Sequence, residues 1–351
     1  MESFVQRVQD IAIGGRYHLV RKLGSGSFGN VYLGRDAETG NEVAMKFEHH
    51  SVAPSLVLEE ADIYRSLAGK TGFPQVHWHG QQDDFTVLVF ELLGPNLEDF
   101  FRYCDNQFSL KTTLILADQL LRRFQTLHSN HYLHRDVKPE NFLLGMGERG
   151  NVVYMTDLGL AIYRHPDYWD SRSTPTRDRT GRPPQLLGTC RYASVNGHLG
   201  VAQSRRDDLE ALGYMLVYFM RGRLPWQGIK GKRDAKYLLV LEKKQATSAS
   251  ELCAGLPTEF VDYFDYVHNF PDGDRPDYQH LRKMFTKLFR RRGYEYDNVF
   301  DWTIREFLKL EPDAKEPLAL KDVNERRDED AMKPLGDAAR NATPAARRKR
   351  T

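Results

Sequence analysis

Eight consecutive residues, His134-Arg135-Asp136-Val137-Lys138-Pro139-Glu140-Asn141, constrain this chain more than any other feature. Ahead of them, Thr112–His128 places Leu116, Leu120, Phe124 and Leu127 at three- and four-residue spacing, the stripe of an amphipathic helix. Behind them, Phe142-Leu143-Leu144 reads as a short apolar strand. The polar string is therefore a loop anchored at both ends, able to hold several polar groups at one reacting centre. Asp136 suits a group that accepts or orients the proton of an attacking hydroxyl. Lys138 suits the stabilisation of charge on a transferring phosphoryl group, and Asn141 offers an oxygen to Mg²⁺. His134 reads as packing support rather than as an acid.

Three further strings complete that chemistry. Asp157-Leu158-Gly159 follows a predicted strand, Val152–Thr156, and supplies a carboxylate as the second hard ligand magnesium prefers. Gly24-Ser25-Gly26-Ser27-Phe28-Gly29 alone fits a structural hairpin or a dinucleotide-binding loop. A dinucleotide loop opens a helix, whereas Asn30-Val31-Tyr32-Leu33 continues here as a strand, so the glycines let backbone amides approach nucleotide phosphates from above. Val43-Ala44-Met45-Lys46 places a lysine one hairpin further on. A phosphate-holding lysine needs a fixed position, and Glu60 is the carboxylate to provide it. Glu59 lies about 100° around the same predicted helix.

The fold class follows from a change of pattern. Tyr17–Leu23, Asn30–Arg35, Glu42–Glu48 and Thr86–Glu91 are short, β-branched or aromatic, and separated by turn residues. One helical stretch interrupts them, with Leu56, Glu60, Ile63, Tyr64 and Leu67 at helical spacing. After Gly94-Pro95 the chain turns helical, through Thr112–His128, Arg206–Arg221, Tyr278–Arg291 and Trp302–Leu310. The expectation is an α+β chain of two lobes, β-rich over 17–91 and mainly helical over 95–310, after an extension at 1–16. The segment 311–351 alternates charges, prolines and alanines, holds too little apolar surface to offset its ordering entropy, and reads as disordered. Its basic run, Arg347-Arg348-Lys349-Arg350, reads as a nuclear-import signal or a solvated charge run.

Bulk charge narrows the partners. A formal net charge of +2 favours neither nucleic acid nor membrane, so charged recognition must come from local clusters. No stretch has the apolar length to cross a bilayer, and Met1–Ile13 lacks the apolar run of a secretory signal. Cys104, Cys190 and Cys253 form no C-x-x-C and read as buried thiols of a reducing compartment, cytoplasm or nucleus. His49-His50 and the His77/His79 pair lack metal-ligand spacing.

Over about Tyr17–Phe307 the chain resembles the eukaryotic protein kinases, and within them casein kinase I. The subfamily strings are Leu92-Leu93-Gly94-Pro95-Asn96-Leu97-Glu98-Asp99, Gly188-Thr189-Cys190-Arg191-Tyr192-Ala193-Ser194, and His198-Leu199-Gly200. Gln203-Ser204-Arg205-Arg206-Asp207-Asp208-Leu209-Glu210, Leu224-Pro225-Trp226-Gln227-Gly228 and Phe300-Asp301-Trp302 belong with them. Casein kinase I also resembles this chain in having Ser194-Val195-Asn196 where most kinases have Ala-Pro-Glu.

The resemblance implies a bilobal fold with Mg-ATP in the cleft, adenine at Glu91–Leu93, and Val31 and Ala44 among the nucleotide-binding residues. It implies a serine/threonine kinase, active without activation-loop phosphorylation, for protein substrates marked by acidic or phosphorylated residues; the oligomeric state is open, with a monomer favoured. It further implies an anion pocket of Arg191 and Lys236, with Gln227 and Gly228 beside them. Leu158 stands in place of the usual Phe, Glu140 in place of Asp, and Phe90 where a medium-sized gatekeeper is usual. His165–Leu187, with Arg177, Arg179, Arg182 and Pro184, differs from the family's loop. The alternatives are a pseudokinase without turnover and a small-molecule kinase. Lys46, Glu60, Asp136, Lys138, Asn141 and Asp157 weigh against the first; Lys138 and the Arg205–Glu210 string weigh against the second.

Overall fold

The structure, a computed structural model, describes residues 11–26, 29–51, 55–165, 188–231, 233–271 and 274–310. All of these belong to the compact unit that ends at Leu310. The predicted tail with Arg347–Arg350, the first ten residues and the segment 166–187 lie outside the described residues.

The first lobe is a five-stranded antiparallel sheet of β1 (Tyr17–Gly26), β2 (Gly29–Asp36), β3 (Glu42–His49), β4 (Val76–Gln82) and β5 (Phe85–Glu91). Their order is β1-β2-β3-β5-β4, which puts β3 and β5 side by side in the middle. The two-residue period of a strand then sorts the side chains. Val43, Met45 and Phe47 of β3 join Val87 and Val89 of β5 in one buried cluster, together with Ile13, Tyr17, Leu19 and Tyr32. Ala44 and Lys46, on the opposite face, turn to the cleft. A one-residue slip would bury Lys46 in the apolar cluster, so the hydrophobic pattern itself fixes the register that presents the lysine.

The helix α1 (Leu56–Ser66) packs across β4 and β5. Ser55 caps it by accepting from Leu58 N. Glu48, at the end of β3, accepts from both Leu56 N and the Ser55 hydroxyl, so strand end and helix start are joined directly. Val57, Glu60, Ala61 and Tyr64 share the buried face.

The second lobe is mainly helical, with α2 (Leu97–Tyr103), α3 (Leu110–Ser129), α4 (Val195–Leu199), α5 (Arg205–Arg221) and α6 (Arg233–Ala246), then α7 (Ala249–Leu252), α8 (Thr258–Asn269), α9 (Tyr278–Arg291) and α10 (Asp301–Leu310). The predicted helices over 112–128, 206–221, 278–291 and 302–310 are all present, each beginning one or two residues earlier or at the predicted residue. The strand β4, VHWHGQQ, and the helices α2, α6 and α8 went unread. Strand β4 has no β-branched run beyond Val76 and is only partly buried, so it carries little strand signal.

The centre of this lobe is α5, buried from Asp207 through Phe219 and packed on α3 and α8. A capping box of Ser204 and Asp207 starts it, and Gly222 in the left-handed region ends it. Between α3 and α4 lie the short pairs β6 (Tyr132–Leu133) with β9 (Ile162–Tyr163), and β7 (Phe142–Leu144) with β8 (Val153–Met155). Gly94 N donates to Leu144 O (2.8 Å) and Leu144 N donates to Pro95 O (3.1 Å), which ties the end of the inter-lobe connection to β7. Among the described residues, no helix is long and apolar enough to cross a membrane.

Phe101 of α2 packs on Tyr218, Phe108 and Phe219 with centroids at 4.5, 5.2 and 5.6 Å. Phe101→Ala is expected to cost about 3–5 kcal/mol of stability in denaturant unfolding. Tyr163→Ala, at an exposed position on β9, is expected to change it by no more than about 0.5 kcal/mol.

Candidate active site

The loop between β6 and β7 is held by one carboxylate. Asp208, in the first turn of α5, accepts from the backbone N–H of His134 (2.8 Å) and of Arg135 (2.9 Å). It also pairs with His128 Nε2 at 2.8 Å, and His128 Nδ1 meets the Tyr278 hydroxyl. Burial opposes the charge on Asp208, but the bond from His128 outweighs it and keeps the carboxyl below its usual range. Burial lowers His128 in turn, so it serves as a neutral donor through Nε2 while Nδ1 accepts from Tyr278. Arg135 adopts a left-handed φ of 65°, and its Nε donates to Leu160 O at 2.7 Å. His134 is fully buried between the Phe124 and Phe142 rings, the packing role read from the sequence.

This anchoring sets Asp136. Its Oδ2 meets Lys138 Nζ at 2.6 Å, and its Oδ1 accepts from the Thr189 hydroxyl at 2.8 Å. Asn141 Nδ2 donates to Asp136 O (2.8 Å), which leaves the amide oxygen of Asn141, a residue lining the cleft, as its acceptor for a hard cation. Gly188 closes over the loop with φ +84°, and a Cβ there would lie 2.5 Å from Arg135 O. Only glycine allows that approach.

The second cluster joins three elements. Lys46 Nζ of β3 lies 2.6 Å from Glu60 Oε2 of α1 and 2.7 Å from Asp157 Oδ1. Glu60 Oε1 also accepts from Tyr64 OH (3.0 Å) and from Leu158 N (3.1 Å). Glu59 is exposed, as its place on the helix requires. Burial disfavours the charge on Lys46, but Glu60 and Asp157 outweigh it and raise its pKa. Burial likewise opposes the charge on Asp157, yet Lys46 and Lys138 hold it below its usual value. At Glu60 burial wins and the pKa rises. Asp157 has φ 58°, a left-handed conformation that aims it from β8 toward the lysine. Its side chain is 28% exposed, the most open of the three.

Between the lobes lies a cleft of about 1100 Å³. Gly24, Ser25, Gly29, Val31, Ala44, Lys46, Glu60, Leu93, Lys138, Asn141 and Asp157 all line it. Gly26 pairs with Gly29 across the tight β1–β2 hairpin, while Ser27 and Phe28 lie outside the described residues. At Gly29 a Cβ would fall 2.2 Å from Phe47 O, so this glycine lets the hairpin close onto β3. Glu91 does not line the cleft with its side chain, which meets Arg149 (2.9 Å) and accepts from Gln75 N (3.3 Å). The volume suits a nucleotide of drug-like size or larger. The donors suit Mg-ATP: a buried ammonium for phosphate, and a carboxylate and an amide oxygen for a hard divalent cation.

A family model for the protein kinase domain matches residues 17–284. The chain belongs to the protein kinase family. The bilobal fold, with a β-rich first lobe and a mainly helical second lobe, is that of the family, which binds ATP with magnesium and transfers phosphoryl groups to proteins.

The residues expected to hold a substrate anion sit on the second lobe of the kinase. The Arg191 guanidinium stacks on Tyr192 and Tyr218, 5.6 and 5.4 Å from the ring centroids, and donates to Tyr192 OH at 3.4 Å. Gln227 Oε1 accepts from Leu224 N, Gly228 has φ +80°, and Lys236 is exposed on α6. Arg177, Arg179, Arg182 and Pro184 lie outside the described residues. Sequence reasoning missed Thr189, His128, Tyr64 and the anchoring role of Asp208. Asp208 and Thr189 stand in strings that were singled out, but their partners lie 53 to 80 residues away.

Phe90 lines the cleft and stacks on Tyr64 at 6.4 Å, closing the space behind it. Phe90→Gly is expected to raise the affinity of inhibitors carrying a bulky aromatic group by about tenfold or more, an energy of about 1.4 kcal/mol. Competition against ATP measures it. Unchanged inhibition constants would show that Phe90 does not gate that space.

Proposed function

We propose that this kinase transfers the γ-phosphoryl group of Mg-ATP to serine or threonine hydroxyls of acidic or phosphate-primed proteins, in the manner of casein kinase I. The observation that carries the transfer chemistry is that Lys46, Glu60 and Asp157 line one cleft together with Lys138 and Thr189, the two side chains that hold the buried Asp136 behind them. A nucleotide-binding chain without turnover would be expected to lack one of these groups.

In this reading Lys46, held by Glu60, binds the nucleotide phosphates, and the hairpin at Gly24–Gly29 covers them. Asp157 and Asn141 would hold magnesium, which when bound neutralises phosphate charge. Asp136 accepts the hydrogen of the incoming hydroxyl, and Thr189 fixes the rotation of its carboxylate. Lys138, 2.6 Å from Asp136, lies where it can also meet a transferred phosphoryl oxygen. These groups are set before substrate arrives, so little reorganisation is left for the reactive step.

The casein kinase I assignment rests on the strings around Leu92–Asp99, Gly188–Ser194 and Gln203–Glu210. The substrate class rests on Arg191 and Lys236, two cations on the same lobe as Asp136. We place the activity inside the cell, in agreement with three free cysteines, two of them buried, and favour a monomer.

Asp136→Asn is expected to lower kcat by at least about 10²-fold with ATP affinity nearly intact, as for a positioned base. Near-wild-type turnover would sink the mechanism. For substrate class, two peptides are compared that differ only in phosphoserine or serine three residues before the target. Charge-assisted hydrogen bonds to the phosphate, each worth about 1.5–3 kcal/mol, predict about ten- to a hundredfold higher kcat/KM for the primed peptide. Arg191→Ala with Lys236→Ala is expected to erase that preference, and equal kcat/KM in the wild type would remove the anion pocket.

A further inference from the structure

Lys244, in the last turn of α6, is a lysine in an unusual place. It is only 4% exposed, and its ammonium donates to two backbone carbonyls, Cys190 O at 3.1 Å and Ala193 O. It also lies over the rings of Tyr214 (4.9 Å) and Trp226 (5.0 Å). Glu210, whose charge it feels, is engaged elsewhere, accepting from Val195 N (2.9 Å) and Tyr214 OH (2.7 Å). Burying an ammonium against carbonyls and rings is costly. The gain must come from what those carbonyls position.

They flank Arg191. Cys190 and Ala193 stand on either side of the Arg191-Tyr192 pair, and Trp226 Nε1 takes the intervening Arg191 O at 2.7 Å. His198 Nε2 adds a contact to Cys190 O at 3.3 Å. At its two ends the same segment is tied by Thr189 to Asp136 and by Ser194 to Asp207 (2.7 Å). Lys244 also shares α6 with Lys236, eight residues or about 12 Å earlier along the axis. One ammonium thus fastens the backbone under Arg191 to the helix that carries Lys236.

We propose that Lys244 is a positioning residue that holds Arg191 and Lys236 in one frame and thereby sets the affinity of this kinase for anionic substrates. The proposal rests on the anion-pocket reading above. It goes beyond it by assigning the pocket's geometry to a side chain that touches no substrate.

The consequence is a split between KM and kcat. Asp136 is held from outside that segment by Lys138, and its loop by Asp208, so loosening Arg191 and Lys236 weakens anion binding without disabling transfer. A loss of folded protein would do the reverse, lowering kcat for every peptide and leaving KM alone.

The test uses the full chain as wild type and Lys244→Met, with three matched peptides. They carry serine, phosphoserine or a sulfonate side chain three residues before the target. Expected in Lys244→Met is a rise of about tenfold or more in KM for both anionic peptides. Its kcat stays within about threefold, KM for ATP is unchanged, and KM for the serine peptide is unchanged. Adding Arg191→Ala to Lys244→Met is expected to cost little more, since both act on one interaction. A wild-type preference that survives Lys244→Met overturns the proposal and leaves the anion-pocket reading standing. A wild type without preference overturns that reading and this proposal together.

A measurement on the wild type serves if Lys244→Met does not fold. Burial lowers Lys244 to a pKa of about 7, so the ammonium is lost as pH rises, and the clamp weakens in that direction. The groups around it are Glu210 and Tyr214 of α5, His198 of α4, Cys190, Arg191 and Tyr192 of the bound segment, and Lys236 of α6. Burial drives His198 down to about 4 and Cys190 upward, which puts His198 below this window and moves Cys190 away from it. The sulfonate stays ionised throughout. Its KM is expected to rise about threefold or more between about pH 6.5 and 8.5 while KM for the serine peptide stays level. A level KM for the sulfonate peptide overturns the proposal.

Discussion

A single buried carboxylate, Asp208, holds the loop that carries Asp136 in a shape its own sequence does not favour. The loop passes through a left-handed Arg135, a conformation that costs a residue with a Cβ about 1–2 kcal/mol. Two backbone amides directed at one ionised acceptor offset that cost, since charge-assisted hydrogen bonds are the strong ones. Asp208 can act this way because it stands at the start of α5, where the helix dipole favours negative charge and a capping box fixes the first turn. It is also braced from behind by His128 and Tyr278, so α3, α5 and α9 converge on it. The position of Asp136 is therefore a property of the helical lobe as a whole.

The first lobe solves a related problem with opposite charges. An ammonium and two carboxylates within 2.7 Å are expensive to desolvate, and such clusters are weak sources of stability. Their value here lies in geometry. Glu60 meets Lys46 from α1, Tyr64 from one turn on, and the Leu158 amide from the segment that carries Asp157. One side chain thus sets the strand, the helix and the turn that carries Asp157 against each other. A shift of α1 by one helical turn, about 5.4 Å, would carry Glu60 and Tyr64 along together but separate Glu60 from both Lys46 and the Leu158 amide, so the arrangement is held as a unit.

What could be read beforehand followed the range of each interaction. The Lys46–Glu60 pair was legible because the helical spacing of Leu56, Ile63 and Tyr64 turns Glu60 inward and Glu59 outward. The Asp136–Asn141 loop was legible because its members are neighbours in sequence. Strand β4 was not, since its sequence offers two histidines, a glycine and two glutamines to a sheet edge. The bracing by His128, Thr189 and Lys244 was not either. Each is an ordinary residue until the fold brings in a partner 51 to 80 positions away. Left-handed Arg135 leaves no trace, because arginine gives no local sign of a positive φ, and Asp157 leaves only the weak one that aspartate is enriched there.

The same distinction explains why a net charge of +2 says so little about this kinase. The cations that matter are set apart by what neutralises them. Lys46 is matched by carboxylates within the protein, and its charge is internal. Arg191 instead rests on the faces of two tyrosines. Glu98, the carboxylate that acts on it, is turned to Tyr218 (3.4 Å) and Arg102 (3.3 Å). An aromatic face holds a guanidinium in place without cancelling its charge as a contacting carboxylate would. Lys244 works the same way one layer down, on carbonyls and rings. The anion pocket proposed above needs its cations ordered and yet unpaired, and neutral partners of this kind meet both requirements.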